Sequence, residues 1–144
     1  MRVVVAGWLL GLGPSGANRR LLGLLHALPQ RLQKGESITV LHGPEGVPEN
    51  PPAAVSWRRM DIPAVPAWRR ALHQHKQLPG VLRELRADVF EQGFLPVVNT
   101  PCPMCVTLHD LRDLGPFARR NRWIARVAHR RSLGRAAAVA VPSR

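Results

Sequence analysis

Tyrosine is absent from this chain of 144 residues, and its aromatics are three phenylalanines and four tryptophans. With so few rings, the basic residues are not interleaved with aromatics, and no nucleic-acid-binding motif is present. Nucleic acid is therefore not the expected partner. Acidic residues are scarce as well: nine Asp and Glu stand against 21 Lys and Arg, a formal net charge of +12. Lysine hardly contributes to that excess, Lys34 and Lys76 being the only two. The pairs Arg19-Arg20, Arg58-Arg59, Arg69-Arg70 and Arg119-Arg120 are far apart in sequence, whereas a polyanion binder gathers its charge on one surface. The segment from Arg119 to Arg135 differs, with seven arginines and no acid. A solvated face is the plain reading of it, and an anionic membrane surface is the partner it would fit.

Cysteine is nearly missing too. Cys102 and Cys105 form one C-x-x-C, with no second pair to complete a four-ligand zinc site. A redox pair uses this spacing at a helix N-terminus. Here Pro101 and Pro103 favour an extended approach to a strand, so Cys105 reads as a small core residue. No apolar run approaches the ~20 residues that span a bilayer. The first residues carry only Arg2 as a charge, and Val3 to Leu10 runs into glycines without a small-residue cleavage site. A cytoplasmic protein, peripheral on the inner face of the membrane if the arginine segment docks there, is the expectation. Repeats and low-complexity tracts are absent. Hydrophobic residues make up 45%, enough for one domain; a chain of this size buries roughly 68–70% of its unfolded surface.

What is present alternates. Val3 to Leu10 reads as a buried strand, β-branched at its start and ended by glycine. A helix follows from about Gly16 to Leu28, with Leu21, Leu25, Leu28 and Leu32 on one stripe and Pro29 at its end. Ser37 to Leu41 reads as a second strand, and residues 44–66 as a proline-rich loop with a strand near Ala54 to Arg58. A helix over Trp68 to Leu78 is expected to break at Pro79-Gly80, before a short helix over Val81 to Arg86. Strands at Asp88 to Phe90 and Val106 to Leu108, a long helix over Phe117 to Gly134, and a strand over Ala136 to Val141 complete the pattern. Alternating strands and helices predict an α/β, Rossmann-like, mostly parallel sheet covered on both faces.

Two constellations carry chemistry. The turn Gly11-Leu12-Gly13-Pro14-Ser15-Gly16 lies between strand and helix. Such a unit aims backbone N–H groups and a positive helix end at one point, which suits a phosphate. The spacing matches neither G-x-G-x-x-G nor the Walker loop, and no acid stands about 20 residues on at a strand end to hold a ribose. A tight turn alone explains it equally well. The second is His109-Asp110, after an apolar strand and so at the carboxyl edge of the sheet, where open α/β folds bind ligands. Neighbours in extended chain point to opposite faces, so Asp110 does not orient His109 directly. The plainer alternative is an edge histidine beside a helix cap. His73 and His75 are two apart and do not share a helix face. With His26 and His129 they read as surface residues, and Trp8, Trp57, Trp68 and Trp123 as packing residues.

The segments "RVVVAGWLLGLGPSGANRRLLGLLHAL", "LPGVLRELRADVFEQGFLP", "CPMCVTLHDL" and "RRSLGRAAAVAVPSR" follow one another in the order of a known pattern. Together they resemble the N-terminal domain of retaining glycosyltransferases of family 4, which have the GT-B fold. "VTLHDL" after "DVF" is the most specific part. The resemblance implies a nucleotide-sugar donor bound between two Rossmann-like domains, and a sugar or lipid-linked acceptor shaped mainly by this one. It implies Gly13, Ser15 and Gly16 at the donor diphosphate, and His109 and Asp110 as catalytic residues near the transferred sugar. Arg19 and Glu91 fall on the acceptor side, Glu91 standing where the family has a strand-end histidine. The implied chemistry is hexose transfer with retention onto a cell-envelope or polysaccharide acceptor, without a metal or other cofactor. The family continues beyond this pattern with a helix, a last strand and the donor-binding domain. The expectation is thus one truncated N-terminal domain over residues 1–144, inactive alone. A standalone basic module for nucleic acid or anionic lipid, and a nonfunctional fragment, are the competing expectations.

Overall fold

The computed structural model describes residues 1–13, 15–95, 97–108, 127 and 130–141. Among them six strands, β1 (Arg2–Ala6), β2 (Ser37–His42), β3 (Ser56–Arg59), β4 (Val89–Gln92), β5 (Met104–Thr107) and β6 (Ala138–Ala140), form one sheet. Their order is β3-β2-β1-β4-β5-β6 and every pairing is parallel. The sheet is thus the Rossmann-like arrangement that the alternating pattern predicts.

Side chains alternate between the two faces of a strand, and two cores result. Val5, Ile38 and Val40 face α1 (Gly16–Ala27) and pack with its Leu21 and Leu25. Val4, Leu41, Phe90 and Val106 face α2 (Ala67–Glu84) and pack with its Leu78 and Leu82. The chain winds outward from β1 to β3, then returns through α2 to β4 on the other side of β1. Loops leaving β1 and β4 therefore diverge at the carboxyl edge and open a crevice between them. At the opposite edge, the backbone N–H of Arg2 donates to Asp88 Oδ2 at 2.6 Å.

Several boundaries differ from expectation, each for a local reason. The first strand stops at Ala6, because the chain turns after Gly7, whose carbonyl accepts from the Leu10 N–H at 3.1 Å. Trp8 and Leu10 are apolar because they fold back into the core from a loop, not because they extend the strand. Pro29 does end α1, which passes into a short 3₁₀ turn over Leu28–Arg31. Pro79 does not break α2. The buried anchors Leu78 and Leu82 hold the turns on either side, while Gly80 is exposed. Trp68 is not a packing residue: it lies on the outer face of α2 and is 66% exposed. Of the long helix expected after β5, Val127 and residues 130–133 are described and are helical, and Ser132 is buried. Trp123 lies outside the described residues.

Candidate functional site at the carboxyl edge

The glycine turn after β1 is built by close approach at some glycines and by backbone conformation at another. A Cβ on Gly7 would stand 2.6 Å from Val40 Cγ1, and one on Gly11 would stand 2.8 Å from the carbonyl oxygen of Glu45. Gly13 adopts φ +93°, in the left-handed region that favours glycine. Around Gly13 and Gly16 a Cβ would meet nothing within 4 Å. These two positions, expected at the phosphate, thus look into open space.

Asn18 holds this loop together, a role the sequence did not suggest. Its side chain is buried, and its Nδ2 donates to the carbonyls of Leu9 and Gly13 at 2.8 and 2.7 Å. Ser15 is the N-cap of α1, its hydroxyl oxygen accepting from the Asn18 N–H at 3.1 Å. Arg19 N–H bonds the Ser15 carbonyl. Among the described residues the N–H groups of Gly16 and Ala17 have no hydrogen-bond acceptor, and they lie at the positive end of α1. A Ser/Asn pair three residues apart at a helix start was the available signal, because each is a good capping or loop-bonding residue.

A cleft of about 630 Å³ opens beside this turn. One wall is the exposed side of α1 with Ser15, Arg19, Leu22 and His26, and the other is the proline-rich loop from Glu45 to Asn50. Arg19 therefore faces a cleft, and His26, exposed as expected, lines it too.

Glu91 is elsewhere. It pairs in register with Val5 and Cys105 and faces the α1 side of the sheet. Its Oε1 accepts from the Thr107 hydroxyl at 2.9 Å, and its Oε2 is buried without a partner among the described residues. Burial pushes its pKa above the ordinary carboxylate value, while the Thr107 bond and the charge of Arg20 pull the other way. No hydrogen bond or ion pair links Arg19 to Glu91: Arg19 lines the cleft, while Glu91 bonds Thr107. Arg20 and Thr107 are the neighbours of Glu91 that the sequence did not reveal; strands sixteen residues apart supply Glu91 and Thr107. The Cys105 thiol, beside the same group, is raised by burial and by Glu91. Both cysteines are free, and Cys102 packs against the opposite core, so Cys105 is half-buried rather than a closed core residue.

His109 and Asp110 lie outside the described residues, as does most of the arginine segment from Arg119. Among the described residues no group of three or more His, Cys, Asp or Glu could hold a metal ion. Also among them, no helix is long and apolar enough to cross a membrane. Comparison of the chain with protein-family models, with curated proteins and with solved structures finds no match in any of the three.

Proposed function

We propose that this chain is the Rossmann-like, acceptor-side domain of a retaining glycosyltransferase, and that its glycine turn meets the diphosphate of a nucleotide-sugar. The observation that carries the reading is the free N–H pair of Gly16 and Ala17 at the start of α1, beneath the open space over Gly13 and Gly16. An oxyanion there accepts two backbone hydrogen bonds and sits on the positive helix end. Parallel strands place this point at the carboxyl edge, beside the crevice between β1 and β4. Arg19, in the adjacent cleft, supplies a guanidinium fork for a phosphate or for acceptor hydroxyls. The sequence likeness at "VTLHDL" assigns His109 and Asp110 to the reacting sugar.

In this reading the turn binds and orients, and the Ser15–Asn18 cap keeps its N–H groups aimed outward. Charge neutralisation on the leaving diphosphate is electrostatic, from N–H dipoles and Arg19. The test is an amide NMR titration of the chain with a nucleoside-diphosphate hexose. The reading expects saturable shifts at Gly13, Gly16, Ala17 and Arg19, with affinity near ~1 mM, a value suited to a few polar contacts without a second domain. Shifts that avoid all four residues, or that inorganic salt reproduces at equal ionic strength, would refute it.

A further inference from the structure

The stripe that α2 turns toward the sheet changes character along its length. Leu78 and Leu82 form its second half, but the same stripe begins with Arg70 and Gln74. Gln74 is completely shielded and Arg70 is 5% exposed. Residues four apart are neighbours on a helix face, so a guanidinium and a carboxamide occupy adjacent turns of one buried surface. Because α2 starts where the chain has left β3, this polar half lies at the carboxyl edge, on the face of the sheet opposite α1.

Among the described residues Arg70 is held by carbonyls alone. One terminal amino group donates to Ala64 O and the other to Leu95 O, tying the loops after β3 and β4 to a single side chain. Among the described residues its Nε has no partner, and neither amide atom of Gln74 has one. Among the same residues no carboxylate pairs with Arg70. Buried cations are ordinarily paired with an opposite charge, and buried amides with a hydrogen-bonding group. A guanidinium with its Nε–H unused, beside an amide with its N–H groups unused, offers donors of the kind that recognise an oxyanion. The first turn of α2 carries no acid, and the helix adds its positive end. Both favour a dianion over a monoanion.

We infer that Arg70 and Gln74 form a binding position for a phosphoryl group, reached between the loops of residues 61–66 and 93–95. Each loop is fastened to Arg70 through one carbonyl, so an entering oxyanion exchanges for carbonyl bonds on a charge already in place. This position is on the other side of the sheet from the glycine turn and does not depend on the glycosyltransferase reading.

The experiment is a titration of ¹⁵N-labelled chain with inorganic phosphate, chloride holding the ionic strength constant. It follows the Arg70 Nε–H and Gln74 side-chain resonances. Saturable shifts of both with phosphate, and none with acetate, are expected. Glycerol 3-phosphate is the third arm: binding there as well marks a phosphoryl group on a larger ligand, and binding of phosphate alone marks the free ion, each in support. Gln74→Leu keeps the volume and the Arg70 clamp, and should weaken phosphate about tenfold. Arg70→Lys should abolish saturation; if that variant does not fold, Gln74→Leu decides. Shifts matched by chloride or acetate, or unchanged affinity in Gln74→Leu, overturn the inference. The glycine turn is read separately at the Gly16 and Ala17 amides, so either proposal fails on its own signals.

Discussion

Replacing Asn18 by alanine isolates the clamp on the glycine turn. The substitution removes two hydrogen bonds, to Leu9 O and Gly13 O, and leaves those carbonyls facing an apolar methyl. At about 1 kcal/mol net for each bond, plus part of the desolvation cost of the stranded carbonyls, the loss is roughly 2–3 kcal/mol. Against it stands the release of Asn18 Oδ1, itself buried without a partner among the described residues, which returns up to ~1 kcal/mol. The net expectation is about 2 kcal/mol, or roughly 4–8 °C in Tm for a domain of this size. Asn18→Asp sharpens the test, because it swaps the donor for a carboxylate aimed at two carbonyl oxygens. It should cost more than alanine at neutral pH. Its buried acid has a raised folded pKa, so the variant binds more protons folded than unfolded and regains stability as pH falls. Urea melts of the three proteins across pH check both. The reasoning fails if Asn18→Ala lies within ~0.5 kcal/mol of wild type, the range of an ordinary surface change. It fails equally if the Asn18→Asp and Asn18→Ala variants are equally stable at neutral pH.

Glycine scanning should split the turn: Gly7→Ala, whose Cβ would meet Val40 Cγ1 at 2.6 Å, costs about 1–3 kcal/mol, while Gly16→Ala, open on all sides, gains up to ~1 kcal/mol in thermal melts. Pro79→Ala restores a missing helical hydrogen bond inside α2 and should stabilise by about 1 kcal/mol or more, read as a higher urea midpoint at constant m. Glu91, its folded pKa raised by burial, contributes stability that is lost as pH rises through that pKa from the unfolded value near 4.5. Glu91→Gln should flatten this part of the stability–pH curve above 4.5 while keeping the Thr107 bond. Burial also raises both thiols, so Cys102 and Cys105 should react with iodoacetamide more slowly than glutathione at a pH of about 7.5, and a rate equal to it would refute that.

Most strands were legible because a parallel sheet buried on both faces writes itself as short continuous apolar runs, as in Val3-Val4-Val5 and Ile38 to Leu41. Periodicity alone was blind to the turn from strand to loop at Gly7, since Trp8 and Leu10 are as apolar as the strand they follow. Pro79 misled because local propensity assigns a break, while Leu78 and Leu82 on the core side hold the helix straight through it. In the site, Gly13, Ser15 and Gly16 were visible as a cluster of turn and capping residues. The roles of Asn18, Arg20 and Thr107 depend on where other segments pass, which no local pattern records. Arg70 and Gln74 were hidden for the opposite reason: in sequence they look like two solvated residues of a polar helix.

The strand order also has a consequence for synthesis on the ribosome. β1 leaves the exit tunnel before the other described strands, yet it ends as an interior strand whose second neighbour, β4, is encoded more than eighty residues later. Until Val89 emerges, the backbone groups along one side of Val3 to Val5 have no native partner, and the Asp88 carboxylate that receives the Arg2 N–H does not yet exist. At ~5–20 residues translated per second the stretch from Arg59 to Val89 takes about 2–6 seconds, and for that time the apolar inner edge of β1 has no strand to pair with. That edge is the substrate a ribosome-associated chaperone would shield, and slow codons placed before Val89 would prolong its exposure.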